Sequence, residues 1–376
     1  METKVLKIHN SDDISPLIAE ASKFLQQGGL VGFPTETVYG LGANANIPES
    51  IERLSAVKQR PTDKPYTLHI GDFSWLSGYV PDLSLLNRRF LQKAWPGPLT
   101  AVFELNESQQ SKLQESLPAT LVEVLYSKHS IGIRLPDNEA ARRLLQAVEA
   151  PVVAPSANRS GSEPPVTTEE VLEQLGGEIE LLLDGGPTKY QKPSTIVKIA
   201  GDEFEIIREG VYEARMIEQM REVVFLFVCT GNSCRSPMAE GICKREIAEK
   251  LGCSVDQLGE KGYKVLSAGI MAGAGFSATP EAVQACSEVS VDISDHRSQP
   301  MTMELINRAD FIYVMDSSHR HAVLNLASHK AGQIEFLSKQ GDITDPIGMS
   351  LGTYRKCANL IAQSIKERME EVFRSF

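Results

Sequence analysis

The segment Val223–Glu240, VVFLFVCTGNSCRSPMAE, constrains the fold more than any other stretch of the chain. Its first six residues form an unbroken apolar run, the pattern of a parallel strand buried on both faces. A polar loop containing glycine follows, and Pro237 sits where a first-turn proline opens a helix. Strand, loop and helix start together form a cradle for an anion. Backbone N–H groups turn inward and the helix dipole adds positive potential. The cradle carries a Cys-x5-Arg-Ser arrangement, Cys229 to Ser236. A cysteine in such a field is expected to be a thiolate near neutral pH.

The spacing assigns roles. Cys229 is the expected nucleophile toward phosphorus. Arg235 offers a planar fork for two phosphate oxygens, which lysine lacks. Thr230, Gly231, Asn232 and Ser233 complete the phosphate loop, with Asn232 suited to positive φ. Ser236 is placed to hydrogen-bond the thiolate. Cys234 is positioned for a reversible disulfide with Cys229. A leaving group needs a proton, and Asp345, in Asp345-Pro346-Ile347-Gly348, is the candidate general acid.

The chain has 376 residues, enough for two or three cores. At 42% apolar and 23% charged residues, its composition is that of a globular protein. No apolar run approaches the roughly 20 residues that span a membrane, and METKVLKIHNSDD has no signal-peptide core. Six cysteines in this length are not a disulfide scaffold. A nucleophilic thiol makes the reducing cytoplasm the expected compartment. Residues 1–210 hold 20 Lys and Arg against 28 Asp and Glu, a net of −8; the rest hold 18 against 21, a net of −3. Neither half is a basic nucleic-acid clamp by composition.

Strand- and helix-like segments alternate up to Glu209-Gly210. They begin with a helical stretch from Ser15 to Gln27 and a short strand, Leu30–Phe33. Residues 211–221 read as a connector. In residues 222–376 a strand–loop–helix pattern recurs through Val265-Leu266, Phe311–Met315 and Ile334–Leu337, and a helix from about Tyr354 to Arg374 closes it. The expectation is two α/β domains, 1–210 and 222–376, the second a doubly wound parallel sheet.

The second half resembles the low-molecular-weight protein phosphatase family. Beyond the loop, Ser267-Ala268-Gly269, Ala278–Ala282, Asp292–Ser298, Ala309-Asp310, Met315–Arg320 and Asp345-Pro346 fall in family order. The resemblance implies a four-stranded parallel sheet, Cys229 as nucleophile, Arg235 as phosphate ligand, Asp345 as acid, phosphorylated proteins as substrates, and no cofactor. Tyrosine-specific members carry a bulky aliphatic residue before the second loop cysteine and aromatic residues after Asp-Pro. Here those places hold Ser233 and Ile347. The small hydroxyl is similar to the protein-arginine-phosphatase branch, so phosphoarginine is expected, with phosphotyrosine as the alternative.

The first half combines Phe33-Pro34-Thr35-Glu36-Thr37-Val38-Tyr39-Gly40, Lys58-Gln59-Arg60-Pro61, Gly132-Ile133-Arg134, Ser156-Ala157-Asn158, Ser194-Thr195 and Arg208-Glu209-Gly210. Cations and hydroxyls on loops at strand ends suggest a polyphosphate pocket. No Gly-x4-Gly-Lys-Ser/Thr loop is present. The pattern closely resembles the YrdC family of threonylcarbamoyl-AMP synthases over about residues 10–210, which implies a twisted mixed-sheet α/β domain. It also implies ATP, L-threonine and bicarbonate as substrates, and a partner complex that passes the product to adenosine 37 of tRNA. By resemblance, Lys58, Arg60, Thr62, Ser130, Ser156, Asn158 and Arg208 line the ATP side, and Thr35, Thr67, Arg134 and Ser194 the threonine side. Mg²⁺ is expected to accompany the triphosphate, and no set of metal-ligating side chains is assigned. The rival reading of this half is a non-catalytic RNA-binding module with salt-sensitive affinity.

Overall fold

The computed structural model describes residues 2–8, 13–59 and 66–374. The chain divides into two compact units, up to Met220 and from Arg221 to Arg374. Arg60 and Thr62 lie outside the described residues.

The first unit is built on strands β1 Lys4–Lys7, β2 Val31–Phe33, β3 Gly40–Asn44, β4 Thr67–His69, β5 Leu99–Glu104, β6 Ser130–Arg134, β7 Val152–Val153, β8 Leu181–Asp184, β9 Thr195–Ala200 and β10 Glu203–Arg208. They form one mixed sheet in the order β1-β8-β2-β3-β7-β4-β6-β5-β9-β10. Register and the two-residue period of a strand decide which side chains meet. Thr67 pairs with Gly132 and His69 with Arg134, Val102 with Gly132, Thr100 with Ile196 and Arg208 with Ile196. One face therefore collects Thr67, His69, Ser130, Arg134, Thr100 and Arg208. The opposite face presents Leu68, Ile131, Ile133, Ala101, Phe103, Val197 and Ile199, all in the main hydrophobic core.

Residues 211–221, read as a connector, are more structured than that. They contain the helix Ala214–Arg221, and Ile217 is fully buried in the first unit's core. Met220, three residues on, packs partly buried against the same core, while Arg215, Glu218 and Gln219 are exposed.

The second unit contains β11 Val223–Cys229, β12 Tyr263–Gly269, β13 Phe311–Val314 and β14 Ile334–Phe336, ordered β12-β11-β13-β14 and parallel throughout. All seven residues of β11 are buried, because it is a central strand with helices on both faces. The expected strands and the terminal helix, observed as Leu351–Val372, fall where the sequence put them, within a few residues. Two α/β units, one mixed-sheet and one all-parallel, are the fold class expected.

Candidate functional site

The second unit's site grows from the end of β11. Cys229 is its last residue, and the helix Arg235–Leu251 begins five residues after the intervening loop opens at Thr230. Asn232 adopts φ 53°, the left-handed turn that bends the loop back. Its side chain fixes that bend: Nδ2 donates to Ser236 Oγ at 2.9 Å and Ser267 Oγ at 2.8 Å, and Oδ1 accepts from the Gln299 amide at 2.8 Å. Ser267 Oγ donates on to Glu240 Oε2 at 2.6 Å, and His296 Nε2 lies 2.9 Å from the Asn232 carbonyl oxygen. Gly269 ends β12 against this loop. A Cβ there would sit 2.6 Å from the Thr230 carbonyl oxygen and 2.9 Å from the Asn232 nitrogen, so only glycine allows the approach.

Within that frame Cys229 is buried. Ser236 Oγ lies 2.9 Å from its Sγ, and the Asn232 amide donates to it at 3.3 Å. Arg235 reaches across from the helix start. Its Nη1 donates to Asp316 Oδ2 at 3.1 Å and to the Ile343 carbonyl at 3.0 Å; Nη2 donates to Asp345 Oδ2 at 2.5 Å and to Thr230 Oγ1 at 3.3 Å. Arg235 Nε is buried with no partner among the described residues. The cysteine, the arginine and the aspartate come from the end of β11, the start of the following helix and the Asp345-Pro346 turn.

Burial is the largest influence on the Cys229 thiol and pushes it up, against the Ser236 and Asn232 hydrogen bonds and the Arg235 charge. Asp316 and Asp345 also hold the guanidinium, and their charges offset part of its pull at sulfur. Every cysteine among the described residues is a free thiol. Cys234 Sγ lies 3.4 Å from Tyr354 Oη and 3.5 Å from Thr279 Oγ1.

Asp316 and His319 have roles that spacing alone did not reveal. Asp316 Oδ1 caps the helix Ser317–Leu326 through the Ser318 and His319 amides, while its other oxygen holds Arg235. His319 Nε2 lies 2.9 Å from Thr230 Oγ1. Burial lowers the His319 pKa, with Asp316 opposing. The segment after β12 donates the Met271 amide to the Thr230 carbonyl at 2.9 Å. It presents exposed Met271 (79%) and Phe276 (68%), and Ile347 beside Asp345 is 55% exposed.

In the first unit, the connection between β2 and β3 lays Thr35, Glu36 and Thr37 over Arg134. Arg134 Nη2 donates to Glu36 Oε1 at 2.8 Å, Thr37 Oγ1 at 2.6 Å and Thr35 Oγ1 at 3.4 Å. Beside it, Ser194 Oγ lies 2.9 Å from Thr100 Oγ1, and Arg208 Nη2 donates to the Ser194 carbonyl at 2.8 Å. Burial, and then the Arg134 charge, lower the Arg208 pKa. Arg134 is paired with Glu36, and Arg208 adds a second cation near that pair, so the surroundings favour an anion. Thr67 and Ser130 share their face of the sheet. Ser130 stands four residues from Arg134, about 13 Å along β6, and its Oγ donates to the Ser127 carbonyl at 2.7 Å.

A second cluster borders the β2–β3 connection, where Gly40 bridges to Ser156. Lys58 ends the helix Pro48–Lys58; its buried ammonium donates to the Ser156 carbonyl and, at 2.5 Å, to the Asn158 carbonyl. Ser156 Oγ donates to Asn158 Oδ1, and Asn158 Nδ2 donates to the Ser162 carbonyl at 2.7 Å. No group of three or more metal-ligating side chains exists among the described residues, and no helix there is long and apolar enough to cross a membrane.

Residues 23–210 match the Sua5/YciO/YrdC family, described as telomere recombination. Residues 224–375 match the low molecular weight phosphotyrosine protein phosphatase family. The threonylcarbamoyl-AMP synthase of Bacillus subtilis (strain 168) is 34% identical over 245 residues, 64% of this chain and 68% of that protein. The same enzyme of Pyrococcus abyssi (strain GE5 / Orsay) is 34% identical over 229 residues, 61% of this chain and 64% of that protein. The chain therefore spans about two thirds of the length of these curated relatives. A crystal structure of P. abyssi Sua5 complexed with L-threonine is alike in fold, at TM-score 0.51 and 21% identity, covering 97% of this chain and 98% of that one. The chain belongs to the Sua5/YciO/YrdC family, and in it a domain of that family is fused to a low-molecular-weight phosphatase domain, two enzyme domains in one polypeptide.

Proposed function

We propose that the chain is a bifunctional enzyme. The first unit joins L-threonine, bicarbonate and ATP into threonylcarbamoyl-AMP with release of pyrophosphate, for transfer by a partner complex to adenosine 37 of tRNA. The observation that carries this reading is the Arg134–Arg208 pair beside the Thr35, Thr100 and Ser194 hydroxyls, in a domain 34% identical to enzymes of that name. Arg134 would take the threonine carboxylate. Lys58, Ser156 and Asn158, with Arg60 and Thr62, would line the nucleotide side. These donors suit phosphate oxygens and do not make a metal cage, so Mg²⁺ would enter as the counter-ion of the triphosphate. Pyrophosphate release that requires both threonine and bicarbonate tests the reading, and its absence from folded protein sinks it.

The second unit removes phosphate from protein through a phosphocysteine. Cys229 Sγ, its proton passed to Asp345, attacks phosphorus as the bond to the leaving atom breaks, and Asp345 gives that proton to the leaving atom. Water then attacks phosphorus, Asp345 takes its proton, and the S–P bond breaks to release phosphate and free Cys229. Arriving phosphate oxygens would take over the Arg235 fork and release Asp345 for the proton transfer. The leaving atom is the phosphoarginine nitrogen: the small Ser233 and the aliphatic, exposed Ile347 stand where tyrosine-directed members are bulky or aromatic. One observation favours phosphotyrosine, the exposed ring of Phe276 in the segment bonded to the loop. Matched phosphoarginine and phosphotyrosine peptides decide between them, and a strong preference for tyrosine removes the arginine assignment. Ser233→Ile is expected to shift the ratio toward tyrosine.

A further inference from the structure

A free amino acid is a zwitterion, and a buried charge of each sign can complement both of its charged groups. Arg134 supplies the positive one. Its counterpart, assigned no role by the sequence motifs, is Glu36. The carboxylate is 2% exposed and Arg134 is 5% exposed. Glu36 Oε1 accepts from Arg134 Nη2 at 2.8 Å, and Oε2 accepts from the Asp137 amide at 3.0 Å. The segment carrying Glu36 is held from above, since its carbonyl accepts from the Tyr190 amide at 2.9 Å and the Thr37 carbonyl accepts from Thr188 Oγ1 at 2.8 Å. Arg134 Nε, buried, has no partner among the described residues. A desolvated ion pair with a donor to spare is expensive as pure scaffolding, whereas a ligand bearing adjacent carboxylate and ammonium groups complements both members at once.

We infer that Glu36 binds the α-ammonium of the amino-acid substrate while Arg134 binds its carboxylate, so that Glu36 selects an amino acid over the corresponding hydroxy acid. This rests on the synthase reading of the first unit. A charged hydrogen-bond partner lost from a buried site costs at least about tenfold in discrimination.

Calorimetric titration of the full-length protein tests it, with L-threonine and with 2,3-dihydroxybutanoate, in which a hydroxyl replaces the ammonium. The wild type is expected to bind threonine at least about tenfold more tightly than the hydroxy acid. Glu36→Gln is expected to weaken threonine while leaving the hydroxy acid unchanged or tighter, collapsing the ratio. Glu36→Asp, which keeps the charge, is expected to retain most of it. Equal weakening of both ligands in Glu36→Gln overturns the inference, because Glu36 would then act only by orienting Arg134. A wild type that binds both ligands equally overturns it without any variant, whatever that variant's folding. Failure of the wild type to bind threonine at all removes the synthase reading and the inference together, so the two failures are distinguishable.

Discussion

At the scale of single residues, the competition between burial and charge sets both sites. Burial raises the Cys229 thiol, and Arg235 counters it only so far as Asp316 and Asp345 leave its charge uncompensated. Asp316→Asn keeps the helix cap, because asparagine also accepts from backbone amides. It should lower the pH at which Cys229 becomes reactive toward iodoacetamide; an unchanged midpoint would show that the carboxylate does not govern the thiol. Arg235→Lys should lower phosphatase kcat/KM by about a hundredfold or more, through loss of the two-pronged grip. His69 gives a stability test. Burial, then the Arg134 charge, lower its pKa from 6.5 to about 3. The folded state therefore holds it neutral while the unfolded chain binds a proton below pH 6.5. The stability it contributes is complete above that pH and is lost as the pH falls toward 3, at about 1.4 kcal/mol per pH unit. Urea unfolding of the first unit at pH 7.5 and 5.5 measures it, and His69→Gln should flatten the dependence.

Among elements, the phosphate loop was legible because its chemistry is contiguous: an apolar strand, Cys-x5-Arg and a helix start lie within eighteen residues. Asp345 lies 110 residues from Arg235, and only a turn-forming Asp-Pro pair and the family order pointed to it. Asp316 stayed hidden because the ordinary reading of Asp before Ser-Ser-His is a helix cap. It is one, and the second oxygen does the other work. The approach of Arg208 to Arg134 depends on the pairing of β5, β6, β9 and β10, which no local pattern encodes. The helix Ala214–Arg221 reads as a connector because the segment is short and of mixed polarity, and in the structure only Ile217 of its eight residues is buried. Ile217→Ala should cost the first unit about 2–4 kcal/mol in thermal or urea unfolding if that contact anchors the helix; a change near zero would mean the helix is held otherwise.

For the molecule as a whole, the hydrogen bonds that define each site close within its own unit. Each activity should therefore survive loss of the other. Cys229→Ser should leave threonine-dependent pyrophosphate release within about twofold of wild type, and Lys58→Ala should spare phosphatase activity to the same degree. A parallel fall in both would reveal coupling that the separate hydrogen-bond networks do not carry. The claim on which the phosphatase account depends is that sulfur, and no other atom, receives the phosphoryl group. Its most direct test is acid quenching of the protein during turnover of a radiolabelled phosphoarginine peptide, followed by peptide mapping. The account predicts label on the peptide containing Cys229 and none in Cys229→Ala. Label on another residue, or turnover persisting in Cys229→Ala, would contradict it.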